Sequence, residues 1–390
     1  MVNYVQMKPR SILTLGNFFA SAHFFLIIYV LTPYLATFMP DSSTALVISL
    51  GAIITLSVFP FMPHLVRQYG PRRLAIFFAA VEAFALGWLA LGPTPLPATL
   101  LVALAVATTP LLDYQLDLML EATIAKEGTT GRIRTLFLTA GNVILVVAPL
   151  FAGLLLDSTE AYWRVFAVAA STLFPFIVVM SMKRLPQGAP PNFVNMLEAA
   201  RCLGKDKDLR AIILSHGTLQ FFYHLAPLFI PLYLHHVLGI PWQNLGWIFA
   251  VMLLPFVLLE YPAGWIADRL WGDQELLIGG FVLLSVGFVA LSLVTTTTTI
   301  FVIVVILVLN RSGAALVEAM SEGHFFRRVS EADASTVGIF RMTRPIAALI
   351  APIVGSILLV SSSYSTLFVV TGIIIGVVGV TSALAIKDIK

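Results

Sequence analysis

The stretch "TTPLLDYQLDLMLEA", Thr108 to Ala122, decides the reading of this chain. It is largely apolar, yet Asp113, Asp117 and Glu121 recur at i, i+4 and i+8. On a helix these three carboxyls stack on one face. At about 1.5 Å rise per residue, Asp117 stands about 6 Å and Asp113 about 12 Å along the axis from Glu121. The surrounding apolar run, 98–121, is long enough to cross a bilayer. A charge at the centre of a bilayer costs roughly 2.5–3.5 kcal/mol on insertion scales, so such a face turns toward protein or a wet cavity.

Composition places that run in a membrane. Of 390 residues, 59% are hydrophobic and 11% charged, with a mean hydropathy of +0.95. Soluble domains carry about 25% charged residues. The formal net charge of +3 leaves no electrostatic footprint for nucleic acid. The single Cys202 excludes a disulfide framework and a cysteine-rich metal site. No phosphate-binding G-x-x-x-x-G-K-[ST] loop, H-E-x-x-H or G-x-S-x-G appears. We therefore expect no cofactor, no metal, no ATP drive and no enzymatic activity.

Apolar runs broken by polar or Pro/Gly punctuation number twelve: 12–38, 44–65, 74–92, 98–121, 134–156 and 163–182, then 209–238, 243–266, 275–294, 300–321, 335–361 and 364–386. Lys8 and Arg10 precede the first run, which is too long for a signal-peptide core and reads as a retained span. With both termini inside, 19 of the 23 Lys and Arg residues fall on the inner side. Arg164 lies outside, and Arg311, Arg341 and Arg344 fall in or at the ends of spans. This bias predicts cytoplasmic termini, and the short loops and modest length suit a plasma (inner) membrane protein. The outer connections, such as "GPTPLP" and "TTTTT", are short and uncharged. The domain division is then 1–182, a six-helix half; 183–208, a cytoplasmic linker; and 209–390, a second six-helix half. Within the linker, "NFVNMLEAARCLG" reads either as a short helix on the inner membrane surface or as plain connection.

The halves repeat at an offset of about 200 residues. Phe59-Pro60 matches Tyr261-Pro262, and Gly70 falls on Gly272. Glu121-Ala122 matches Glu318-Ala319, and Pro33 matches Pro231. Ala148-Pro149 with Gly153 matches Ala351-Pro352 with Gly355. Duplicated halves are the architecture of alternating-access transporters, whose substrate site lies at the repeat interface.

At this point the whole chain resembles the major facilitator superfamily. That family's inner-loop motif has the form G-x-L-A-D-R-x-G-R-K. The second half has "GWIADRLWGDQ", with Gly264, Asp268 and Arg269 in place, Trp271 at the usual glycine and Gly272 after it. The first half has "PHLVRQYGPRRL", where Tyr69, Gly70, Pro71, Arg72 and Arg73 fit. Pro63 replaces the first glycine, and Arg67 stands where the aspartate is expected. The resemblance implies an all-α fold of twelve transmembrane helices in two pseudo-symmetric six-helix halves, with spans one, four, seven and ten lining a cavity. It implies an inner gate latched by the motif aspartate, Asp268, near Arg132 and Arg134. An arginine at 67 departs from this in the first half. "TAGNVILVVAPLFAG" in span five matches an antiporter pattern only in part, and the arginine that marks many antiporters on span four has no equivalent.

The candidates divide by depth. Tight inner turns call for Gly70 and Gly272. Arg72, Arg73 and Arg269 set topology or join a latch, in which Glu121 and Glu318 are expected to meet Arg72 or Arg73 and Arg269 or Arg341. Arg344 and Glu260 are expected at the same level. Asp113 and Asp117 are expected in the cavity as proton carriers, since carboxylates one turn apart repel and share protons. Arg311, after Asn310 (the repeat partner of Asp113), is either the counter-ion of Asp113 or an anchor for an anionic substrate group. "SHGTLQFFYH" puts His216, Gln220 and His224 on one face as substrate or relay residues, with Tyr223 beside them. His23 and Tyr29 of span one are substrate candidates, and Glu82 is expected to face a neighbouring helix. The expected protein is a monomeric secondary transporter that moves a small organic solute, neutral or cationic rather than anionic, with protons as coupling ion. Amphipath efflux, uncoupled facilitation or lipid movement, a transporter-like sensor or assembly protein, and more remotely an intramembrane enzyme are the alternatives.

Overall fold

A computed structural model describes residues 9–127, 130–182, 206–269, 271–329 and 334–387. The surface-helix candidate in the linker lies outside them. The elements run as α1 (Pro9–Ile27, resumed at Leu31–Ala36), α2 (Asp41–Val58, continued to Met62–Tyr69), α3 (Pro71–Ala90), α4 (Pro95–Glu127), α5 (Thr130–Leu156) and α6 (Tyr162–Met182). There follow α7 (Lys207–Pro231), α8 (Trp242–Leu258, continued by Glu260–Arg269), α9 (Asp273–Ala290), α10 (Ile300–Arg328), α11 (Ala334–Ser361) and α12 (Tyr364–Leu384). Ten of these helices are long and apolar enough to cross a membrane, and Gly141–Leu156 of α5 is a shorter apolar helix. In α7, Ser215, His216, Gln220 and His224 dilute the apolar run. Helices suit this setting because each satisfies its backbone internally, whatever lies outside. Large apolar side chains such as Phe84, Leu154, Val286, Phe301 and Val360 are exposed on the outside of the bundle.

The two sets of six pack alike. α3 lies against α4 and α6, and α9 lies against α10 and α12 in the same way. α1 meets α5 and α6, as α7 meets α11 and α12. Between the sets, α2 packs on α11 and α5 packs on α8. This exchange of equivalent pairs is the pseudo-symmetry that the weak sequence repeat predicts. Small residues allow the closest crossings. A methyl at Gly153 would stand 2.7 Å from the Trp242 carbonyl oxygen, and Gly246 faces Gly153 from α8. A methyl at Gly313 would collide with the backbone of Leu284 and Gly280.

At the end where α1 finishes and α2 begins, polar contacts join the halves. Thr32 donates to the Leu228 carbonyl at 2.8 Å. Asp41 accepts from Tyr364 at 2.7 Å and lies 2.9 Å from His236 Nδ1. Glu160 stands 3.3 Å from His235 Nε2, and Gln243 donates to Asp157. We call this the outer-loop end and the other the basic end. The last turns of α7 pass into a wide π turn at Leu232–Val237, just after Pro231.

The basic end differs from expectation in one turn. Gly70 has φ +80 and precedes Pro71 at the start of α3, so its freedom is used. Gly272 has φ −89 and ψ 177, extended backbone that any residue adopts. There the turn is held instead by Glu275, whose carboxylate accepts from the Gly272 amide at 3.0 Å.

The crossing at Gly313 gives a stability test. Gly313→Val must push α10 off α9, which costs more than the about 1–3 kcal/mol of ordinary overpacking. In detergent it should melt well below wild type or fail to give a monodisperse peak. Gly279→Ala, at a position with open space around it, should melt as wild type or slightly above.

Candidate functional site

The carboxyl stripe of α4 faces the seam between the halves. Asp117 forms an ion pair with Arg341 of α11 at 3.1 Å. The pair bridges the two sets of helices, yet the Asp117 and Arg341 side chains remain 44% and 42% exposed. One further pair, between α10 and α11, continues the pattern. Arg344, one turn beyond Arg341, pairs with Glu322 at 3.2 Å, with exposures of 54% and 40%. Arg344 also feels the fields of Glu318, Asp117 and Asp113. Asp113 is exposed as well, and its electrostatic partners come from α1 (His23), α3 (Glu82), α4 (Asp117) and α11 (Arg344). Charges that are accessible yet surrounded by helices of both halves line a cavity, not a lipid face.

Behind Asp113 lies a buried polar cluster. His23 of α1 and Glu82 of α3 are fully buried, with Nε2 3.0 Å from Oε1. Thr109, in the turn of α4 before Asp113, donates to the same Glu82 oxygen at 2.6 Å. Glu82 therefore faces a neighbouring helix, and the neighbour is the one that carries the acids. Pro110 follows at once and removes a backbone donor from that part of α4.

In the second half, Tyr223 of α7 donates to Glu318 of α10 at 2.7 Å. Gln220 donates to His216 Nε2 at 3.3 Å, and His224 Nδ1 sits 2.8 Å from the Gln220 carbonyl. His216 is fully buried and stacks on Phe340 of α11 at 4.0 Å. The i, i+4, i+8 stripe is thus one hydrogen-bonded ladder, but His216 and Gln220 are packed between α7 and α11 instead of open to the cavity. Tyr29 is buried and packs on Phe249 of α8, with ring centroids 4.9 Å apart. It lines a small cavity with Phe25, Val30, Trp242 and Phe249 near the Gly153–Gly246 crossing.

Several expected placements change. Asn310 is buried and donates to the Leu284 carbonyl of α9 at 2.8 Å, while its backbone lies against Gly287. It clamps α10 to α9 and does not line the cavity. Arg311 is 2% exposed and forms no ion pair with Asp113. Arg341 meets Asp117 inside the seam, where a latch with Glu318 was expected. Arg269 lies over the Trp265 ring at 5.3 Å, and Arg73 is exposed. Gly264 has open space around it. The side chains of Asp268, Glu260, Arg132 and Arg134 lie outside the described set, and so does their expected latch.

Sequence reading missed Glu322 and the depth of Arg344. Both continue periodicities already visible: Glu318 and Glu322 are i, i+4 on α10, and Arg341 and Arg344 are i, i+3 on α11. It also missed a basic-end cluster around His324, which is buried with Nδ1 2.9 Å from Asp273 and Nε2 3.2 Å from Asp208. Arg328 reaches Asp208 at 2.8 Å and Asp206 at 3.1 Å, and Arg327 reaches Asp273. Asp206 caps α7. Against a burial effect that pushes it up, the amides of Leu209 and Asp208 and the Arg328 guanidinium hold its carboxyl below the usual carboxylate range. This cluster ties α7, α9 and α10 together within one half. Among the described residues no group of three or more His, Cys, Asp or Glu is arranged to hold a metal.

Among the described residues, twelve helices in two equivalent sets, with opposed charges in the seam, define the class: a two-half helical bundle. Residues 212–389 match the family model for the Major Facilitator Superfamily. The whole chain superposes on the nucleoside transporter NupG, with a TM-score of 0.79 and 15% identity, over 97% of this chain and 99% of that one. It superposes on a bacterial homolog of the human lysosomal transporter Spinster, in an inward-facing and unoccupied conformation, with a TM-score of 0.78 and 13% identity, over 97% of each chain. An auto-inhibited peptide transporter of the POT family gives 0.77 and 13%, over 98% of each chain. No curated protein sequence matches the chain. The second half thus resembles the Major Facilitator Superfamily by sequence, and the chain shares the fold of these solved transporters over nearly its whole length.

The buried cluster behind Asp113 predicts a paired rescue. Glu82→Leu leaves His23 and Thr109 facing hydrocarbon and should destabilise by about 3–5 kcal/mol, as for other buried pairs that lose one partner. The double variant His23→Leu with Glu82→Leu should regain most of that loss in melting temperature. A single variant that melts as wild type would show that the cluster contributes no stability.

Proposed function

We propose that this chain is a proton-coupled secondary transporter that moves a small organic solute through the seam by alternating access. The observation that carries the reading is the Asp117–Arg341 pair: one charge from each half, joined and still accessible. A pair between halves is kept in one conformation and broken in another, so whatever changes its charge biases the equilibrium between them. Asp113, one turn deeper and open to the cavity, is the proton-carrying group, and protonation of Asp117 releases Arg341. Positive-inside bias supports cytoplasmic termini, which in a plasma membrane makes the outer-loop end extracellular and this conformation open inward. The division at the 183–208 linker follows, with a monomer as the working unit. Tyr223, His224 and Tyr29 border the solute path. His216, Gln220 and His23 support it from behind. Gly70, Arg72, Arg73, Glu121, Gly264, Asp268, Arg269 and Glu318 belong to the inner gate and its turns. No enzymatic role is proposed.

The test is proton flux in proteoliposomes loaded with a pH-sensitive dye, screened with pooled metabolites. Wild type should show a solute-dependent proton signal, and Asp113→Asn should lower it at least about tenfold while still exchanging solute for solute. A signal of wild-type size in Asp113→Asn would remove Asp113 from the proton path. Solute uptake with no proton movement in wild type would sink the coupled mechanism altogether.

A further inference from the structure

Among the described residues, Arg311 is a buried cation of the seam helices with no answering charge. It is 2% exposed, and neither Nε nor Nη2 has a hydrogen-bond partner. Among the described residues no carboxylate pairs with it. Its guanidinium lies 4.7 Å over the face of Phe222 on α7, and the phenols of Tyr29 on α1 and Tyr223 on α7 lie within its field. A buried, unpaired cation is costly unless something compensates it. Contact with an aromatic face recovers only part of that cost.

The orphaned atoms have a definite geometry. Nε–H and the adjacent Nη2–H point from one edge of the guanidinium and match the two oxygens of a carboxylate or a phosphate. Helices α1, α7 and α10 come from both halves, so a ligand held here sits where alternating access needs it. The rings about the guanidinium are Phe222, against which Tyr223 packs, and Tyr29, which packs on Phe249. We infer that Arg311 is the anchor for an anionic group, a carboxylate or phosphate, on the transported solute, whose apolar or aromatic body packs on these rings. The inference rests on the transporter reading and reverses the expectation of a neutral or cationic solute. It also separates Arg311 from Asp113: one binds the solute, the other the proton.

The test is binding, read as thermal stabilisation of the purified protein in detergent at matched ionic strength. The probes are benzoate, phenylacetate and phenyl phosphate, each beside its neutral or cationic counterpart (benzamide, phenylacetamide, benzylamine). At least one anion should raise the melting temperature of wild type by a few degrees, while its counterparts should not. Without solute, Arg311→Met should melt above wild type, because an uncompensated charge has been removed, and it should not respond to the anion. Arg311→Lys keeps the charge but loses the paired edge, so its response should need about tenfold more anion. Gly279→Ala, with open space around it on α9, should respond as wild type, and because the readout is binding and not proton flux, the result is separate from failure of the proton mechanism. The assignment is overturned if no anion shifts wild type, if amide or amine shifts it equally, or if Arg311→Met melts below wild type because the arginine was a packing element.

Discussion

The constraint on which the rest depends is the cost of charge in hydrocarbon. Asp113, Asp117, Glu318, Glu322, Arg341 and Arg344 sit on helices whose outward faces are covered with exposed Leu, Phe and Val. Each such charge must turn inward, and inward means toward the other half. This fixes the rotation of α4, α10 and α11 about their axes more firmly than apolar packing does, since one apolar face is as good as another against lipid tails. The Asp117–Arg341 pair is where that requirement is met across the seam.

The same constraint explains the uneven distribution of contacts between halves. At the outer-loop end the halves are joined by close backbone approach at Gly153 and Gly246 and by side chains at helix ends, such as Asp41 with Tyr364. Within the seam they are joined by accessible ions. Contacts of the first kind are held by shape and are sensitive to any added methyl. Those of the second kind are sensitive to protonation and to bound ligand. A two-half bundle with both kinds has one end that packing holds and a middle that chemistry can change, which is what a switch between two arrangements needs.

The fold was legible because hydropathy counts spans, and because the duplicated halves keep the same turn residues at constant offset. The face of α4 was legible because three acids at helical spacing have one inward solution. Partnerships were less legible. Which arginine answers Asp117 depends on how far α11 penetrates, and the run 335–361 marks the ends of that helix without setting its depth against α4. Asn310 misled for a related reason. By repeat it stands where Asp113 stands, but its side-chain NH2 donates to the Leu284 carbonyl, so a polar residue at this position serves helix packing and not the cavity. Gly272 misled because a glycine in a motif need not use its positive φ, and here the carboxylate of Glu275 holds the turn.

Among the described residues of the seam, Asp113 and Arg311 stand apart from the pairings. Among the acids of α4 and α10, Asp117 has Arg341, Glu318 has the Tyr223 hydroxyl and Glu322 has Arg344. Asp113 is left exposed to the cavity, and Arg311 is left buried against an aromatic ring. If the two merely neutralised one another they would be found together, since both desolvation and attraction favour contact once either is buried. They are apart, one wet and one dry. A wet carboxylate exchanges protons with solvent at little cost, whereas a dry guanidinium holds an anion strongly because no water competes for it. The separation therefore assigns the two ions different partners, and on the proposed reading it places proton and solute at different depths of a single path.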